Sequence, residues 1–118
     1  MPYMLLIMEG RESRRNRSPE QGRAAYERMV RFGDELKARG IYKASDSLKP
    51  DSEGVRVELR GGKRLLIEGP FAESKEMVGG FFLVDCRTKE EAIAIANECP
   101  AAEYASVEVR EVAPCYEA

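Results

Sequence analysis

The sequence contains no histidine and no tryptophan. Lacking histidine, it has neither the commonest general base nor the commonest metal ligand, and it cannot form a Ser-His or Cys-His nucleophile pair. Three cysteines, Cys86, Cys99 and Cys115, are far apart, with no Cys-x-x-Cys pair. That spacing excludes the usual zinc motifs, and no other cofactor or metal is expected. No apolar run approaches the roughly 18 residues of a membrane span. Met1–Met8 is apolar, but no basic segment precedes it and no Ala-x-Ala cleavage site follows. With an odd cysteine count, these features lead to the expectation of a reducing, cytoplasmic setting. Nor is there a basic excess. Nineteen Lys and Arg face 21 Asp and Glu, for a net charge of −2, which argues against a dedicated nucleic-acid binder.

What is present fits one globular domain over residues 1–118, with 43% hydrophobic and 34% charged residues. Tyr3–Met8 reads as a strand buried on both faces. Glu9–Arg17 is polar and reads as a loop. Ser18-Pro19-Glu20-Gln21 is a helix start, with Ser18 as cap, Pro19 at the first helical position and Gln21 completing a capping box. Ala25, Met29, Phe32 and Leu36 then form one apolar stripe, and Gly40 supplies the stop. Ile41–Leu48 is a second extended segment. Val55–Arg60 alternates strictly, Gly61-Gly62 signals a hairpin turn, and Lys63–Glu68 returns. Gly79–Cys86 is the most apolar strand. Thr88-Lys89-Glu90-Glu91 opens a helix whose Ala92, Ile95, Ala96 and Cys99 share a face, and Ser106–Val112 is the last strand. The buried positions of Cys86 and Cys99 suit them as core residues, whereas Cys115 lies in an exposed tail.

This order predicts an α+β fold. It is a ferredoxin-like β-α-β-β-α-β antiparallel sheet with an inserted β-hairpin and two helices on one face. One feature of the first strand bears on assembly. Tyr3, Leu5 and Ile7 fall on one side and Met4, Leu6 and Met8 on the other, and the Phe81–Val84 strand is likewise apolar on both sides. A sheet open to water should alternate apolar with polar. A second copy of the chain is the simplest cover for the open face, and two sheets face to face would enclose a ligand cavity. The alternative is a monomer whose hairpin folds over its own sheet.

A local signature accompanies this order. Glu68-Gly69-Pro70-Phe71-Ala72-Glu73-Ser74-Lys75-Glu76, followed by Gly79-Gly80-Phe81, resembles the DGPF motif of the YCII-related proteins. The Met-rich first strand, the helix ending Lys37-Ala38-Arg39-Gly40, Leu48-Lys49-Pro50, the Glu90-Glu91-Ala92 helix and the Val107-Glu108-Val109-Arg110 strand follow in the expected order. The resemblance covers residues 2–112 and implies a dimeric α+β barrel. It also implies association, in some relatives, with transcription regulators of the sigma-factor type. The family's His-Asp acid/base pair has no counterpart in a chain without histidine, and Glu68 stands where the motif has Asp.

Three groups of residues are candidates for function. Glu68, Glu73 and Glu76 crowd around Lys75, with Phe71 among them. They could be rim carboxylates doing acid/base work beside an anion-binding lysine, or a structural turn with Phe71 plugging the core and its charges paired. Arg11, Arg14, Arg15 and Arg17 stand together ahead of the first helix. Residues 1–31 hold seven Arg against four acids. Such an array could recognise a carboxylate, a phosphate or an acidic partner, or be a solvated loop. Arg110 and Glu108 share a face of the last strand, and Asp46 lies in the second extended segment. On an apolar face these charges need partners. Arg110 could hold Glu68 or a ligand carboxylate, or form an ion pair between strands. No spacing gathers the oxygens a hard cation needs.

Two functions are consistent with these features. One is a small-molecule binder whose pocket lies between the sheets of a homodimer. If catalytic, it would use Glu68, Glu73 and Arg110, with Asp46, Phe71, Lys75, Glu76, Arg14 and Arg15 at the ligand. The other is an interaction module for a sigma-type transcription regulator, binding through Arg14 and Arg15.

Overall fold

The computed structural model describes residues 1–71 and 73–117. Six strands and three helices follow in order: β1 Pro2–Gly10, α1 Arg11–Arg15, α2 Pro19–Ala38, β2 Tyr42–Ser47, β3 Val55–Arg60, β4 Lys63–Glu68, β5 Glu76–Asp85, α3 Lys89–Glu98 and β6 Ser106–Glu111. Four strands form an antiparallel sheet in the order β2-β5-β1-β6, while β3 and β4 pair only with each other. The result is an α+β architecture compatible with a ferredoxin-like unit carrying an inserted hairpin.

Local sequence explains most of these boundaries. Ser18 Oγ accepts from the Gln21 amide at 3.1 Å, and the Gln21 side chain accepts from the Ser18 amide at 2.9 Å. The expected capping box is therefore complete. At α3 the box is half made. Thr88 Oγ1 accepts from the Glu91 amide at 3.1 Å, but the Glu91 carboxylate takes the amide of Arg87, not that of Thr88. Gly61 and Gly62 both have positive φ, 53° and 79°, as a two-residue hairpin turn of the primed type requires.

The core lies between the sheet and α2 and α3. Tyr3, Leu5 and Ile7 of β1 meet Phe82 and Val84 of β5, Phe32 and Leu36 of α2, and Ala92, Ile95 and Ala96 of α3. Phe32 and Phe82 pack edge to face with centroids 5.0 Å apart. Cys86 and Cys99 are buried and Cys115 is exposed. No described helix is long and apolar enough to cross a membrane.

One expectation and two of the alternatives differ from the structure. Glu9–Arg17 is not simply a loop, because β1 runs on to Gly10 and a helical turn follows at once. Side chains from this segment bond to distant backbone and hold it, a cause no local pattern shows. Phe71 is only half-buried and lies outside the core cluster. The hairpin does not fold over its own sheet; every residue of β3 and β4 except Glu58 is exposed.

Candidate functional site

Glu9 is the one buried charged residue among those described, only 3% exposed. It occupies the position after Ile7 on the inward face of β1, so the strand's alternation carries a carboxylate into the layer beneath α2. Two guanidiniums meet it there. Arg14 Nη2 donates to Glu9 Oε1 at 2.5 Å, and Arg17 Nη2 donates to Oε2 at 2.8 Å. Arg14 also donates to the carbonyls of Leu48 and Gly79, at 2.6 and 3.2 Å. The carboxylate is thus paired on both oxygens, as burial demands. A Cβ on Gly79 would collide with Glu9 Oε1 and come within 2.8 Å of Arg14 Nη2. The first glycine of the Gly79-Gly80 pair is accordingly the space in which this ion triad sits.

Beside the triad a cavity of about 340 Å³ opens between α2 and the sheet, lined by Ile7, Ala25, Met29, Phe82, Ser45 and Tyr104, among others. Arg17 also lies over the Tyr104 ring, 4.5 Å from its centroid. Burial raises the pKa of the Tyr104 hydroxyl, with Arg17 opposing.

Arg11 serves a second cluster. Its Nε and Nη2 donate to the Asp51 carboxylate at 2.6 to 2.9 Å, and its Nη1 and Nη2 reach the carbonyls of Ser74 and Phe71 at 2.7 and 2.5 Å. One guanidinium therefore fastens the motif loop to the turn at Asp51. The hydrogen bonds from Arg11 hold the Asp51 carboxyl below the usual carboxylate range. Within the loop, Arg56 lies over the Phe71 ring, 3.8 Å from the centroid, and pairs with Glu73. The Glu73 carboxyl is also held down, first by its own backbone amide and then by Arg56.

The structure thus distributes the sequence candidates over separate regions. Glu73 and Phe71 are joined through Arg56. Glu68 is exposed at the end of β4, and Lys75 and Glu76 are exposed where β5 begins. Arg110 is exposed on β6, with Glu108 at 4.0 Å as its partner rather than Glu68. Asp46 is exposed on the opposite edge strand, across from Phe81. Arg14 is half-buried on Glu9, whereas Arg15 is exposed and pairs with Glu12 at 3.3 Å. No group of three described His, Cys, Asp or Glu side chains is gathered to hold a metal.

Sequence reasoning passed over Glu9, Asp51 and the anchoring role of Arg11. Glu9 was open to detection, since continuing the Tyr3, Leu5, Ile7 alternation by one step points it inward. Asp51 was not, because its partners lie 20 and 40 residues away along the chain.

The chain belongs to the YCII-related family, whose domain model matches residues 1–115. It is also similar to an uncharacterised protein of Rhizobium meliloti, 35% identical over 51 residues, which are 43% of this chain and 41% of that one. The matched stretch spans less than half of either protein.

Proposed function

We propose that this YCII-like protein acts as a homodimer of ferredoxin-like protomers, a dimeric α+β barrel that binds a small molecule between its sheets. The observation that carries this reading is the composition of the sheet face turned away from the helices. Register pairs Met4 with Leu83, Leu6 with Phe81 and Met8 with Val78, and these six side chains form its centre. All are at least partly accessible to solvent. Charges stand around it, Asp46 on β2, Glu108 and Arg110 on β6, and Glu76 and Asp85 at the two ends of β5. An apolar centre with charged margins suits a partner surface better than water. A second copy supplies the same centre in two-fold symmetry. Arg110 and Asp46 would then orient a polar ligand at the rim of the enclosed space.

Acid/base chemistry by Glu68 and Glu73 has less support. Glu73 is held ionised by its partners, which suits an anchor better than a proton donor. Association with a transcription regulator through the arginines also draws less support, because Arg11, Arg14 and Arg17 are engaged within the chain and Arg15 alone of the four is exposed. Native mass spectrometry tests the reading. It predicts a dimer, with a small adduct or with ligand taken up from a metabolite pool. A Leu6→Glu variant that still assembles and still takes up the same ligand would refute it.

A further inference from the structure

The cleft beneath α2 lies on the opposite side of the sheet from the proposed dimer surface and is complete within one chain. Its volume of about 340 Å³ falls in the range of small-ligand sites. Its walls differ in character from end to end. Ile7 and Phe82 of the sheet and Ala25 and Met29 of α2 form an apolar slot. The Glu9, Arg14 and Arg17 triad closes the polar end, where two guanidiniums meet one carboxylate and leave one positive charge in excess. Asp46 and Phe81 also border the cleft, but they pair with each other and alternate with the inward Ser45 and Phe82, so both side chains turn to the other face.

The two arginines are not equivalent. Arg14 is committed to Glu9 and to two backbone carbonyls. Among the described residues the Arg17 side chain makes a single hydrogen bond, from Nη2 to Glu9, while its plane rests over Tyr104. A guanidinium has five N–H donors, so its Nε and Nη1 have no acceptor among the described residues. The Arg17 side chain is 21% accessible, enough for a ligand to reach and dry enough for the contact to count. A planar donor fork fixed by a carboxylate and an aromatic ring matches a second carboxylate. A single excess charge suits a monoanion rather than a dianionic phosphate. We infer that the cleft is a binding site for a monocarboxylic acid with a short apolar body. Its carboxylate is taken by Arg17 and its body lies against Ala25, Met29 and Phe82.

The test is a titration with 3-phenylpropanoate and with its neutral amide, followed through the backbone amide signals of Gly22, Ala25, Gly79 and Gly80 by two-dimensional NMR. The carboxylate is expected to shift these signals with a Kd of about 1 mM or better, as befits a fragment-sized ligand. The amide should bind at least about tenfold more weakly, and so should the carboxylate to Arg17→Gln, the loss of one charge-assisted pair. Ala25→Phe, which fills the slot and leaves the triad intact, should abolish binding. Because the site is held in one chain, Leu6→Glu should leave it unchanged, so failure of the dimer and failure of this site are read separately. Equal binding of acid and amide, undiminished binding to Arg17→Gln, or no shift at these four residues would overturn the assignment and leave the triad as a loop anchor only.

Discussion

At the scale of single residues, the decisive ones are those that make room for buried charge or balance it. Glu9 is inaccessible while its two arginines reach solvent. Glu9→Ala would strand both guanidiniums, and a loss of about 2 kcal/mol or more is expected in urea unfolding. Gly79→Ala forces a methyl into the Glu9–Arg14 pair and should cost about 1–3 kcal/mol. Gly22→Ala meets nothing within 4 Å on the first turns of α2 and should instead stabilise by about 0.5–1 kcal/mol. Opposite signs at two glycines bordering one cleft would show that the pair is tightly fitted. Asp51 provides a prediction with a pH signature. Its folded carboxyl is held low by Arg11, so its stabilising effect is complete above the unfolded value of about 4 and is lost as pH falls through the lower folded one. The melting temperature gap between the wild type and Asp51→Asn should hold steady from neutral pH to about pH 5, then close in acid. A gap that widens in acid would contradict the pairing.

At the scale of elements, what was legible in the sequence was what short-range physics decides. The hairpin strands at Val55–Arg60 and Lys63–Glu68 fall where alternation and Gly61-Gly62 place them. The α2 stripe of Ala25, Met29, Phe32 and Leu36 is buried or half-buried at every position, as its period demands. The segment from Glu9 to Arg17 was misread because arginines in a polar stretch look solvated. Three of the four arginines there are held by Glu9 or Asp51, in pairings 5, 8 and 40 residues apart that no periodicity records. The motif loop was legible as a motif but not as a structure, since its anchor, Arg11, precedes it by 60 residues. The hairpin yields its own prediction. Val57 and Leu66, 62% and 67% exposed, face each other across it. Replacing both with lysine should change the stability of one chain by no more than about 0.5 kcal/mol each. If the hairpin lies against a partner copy, the same pair should raise the dimer dissociation constant by about tenfold or more, as followed by sedimentation.

At the scale of the whole molecule, shape and surface lead to the same account. The chain measures 48 × 42 × 19 Å with a radius of gyration of 16.0 Å, against about 13.5 Å for an ordinary domain of this length. The excess reflects a flat two-layer body with a projecting hairpin. Neither the hairpin nor the helices cover the Met4, Leu6, Met8, Phe81 and Leu83 face, so a lone chain leaves an apolar plate to solvent. We propose that a second copy covers it. Sedimentation equilibrium of the wild type beside Phe81→Glu tests this most directly. The expected result is twice the 13.3 kDa chain mass for the wild type and a single chain, still folded by circular dichroism, for Phe81→Glu. A wild type that stays at 13.3 kDa over all concentrations, or a Phe81→Glu protein that remains a dimer, would contradict it.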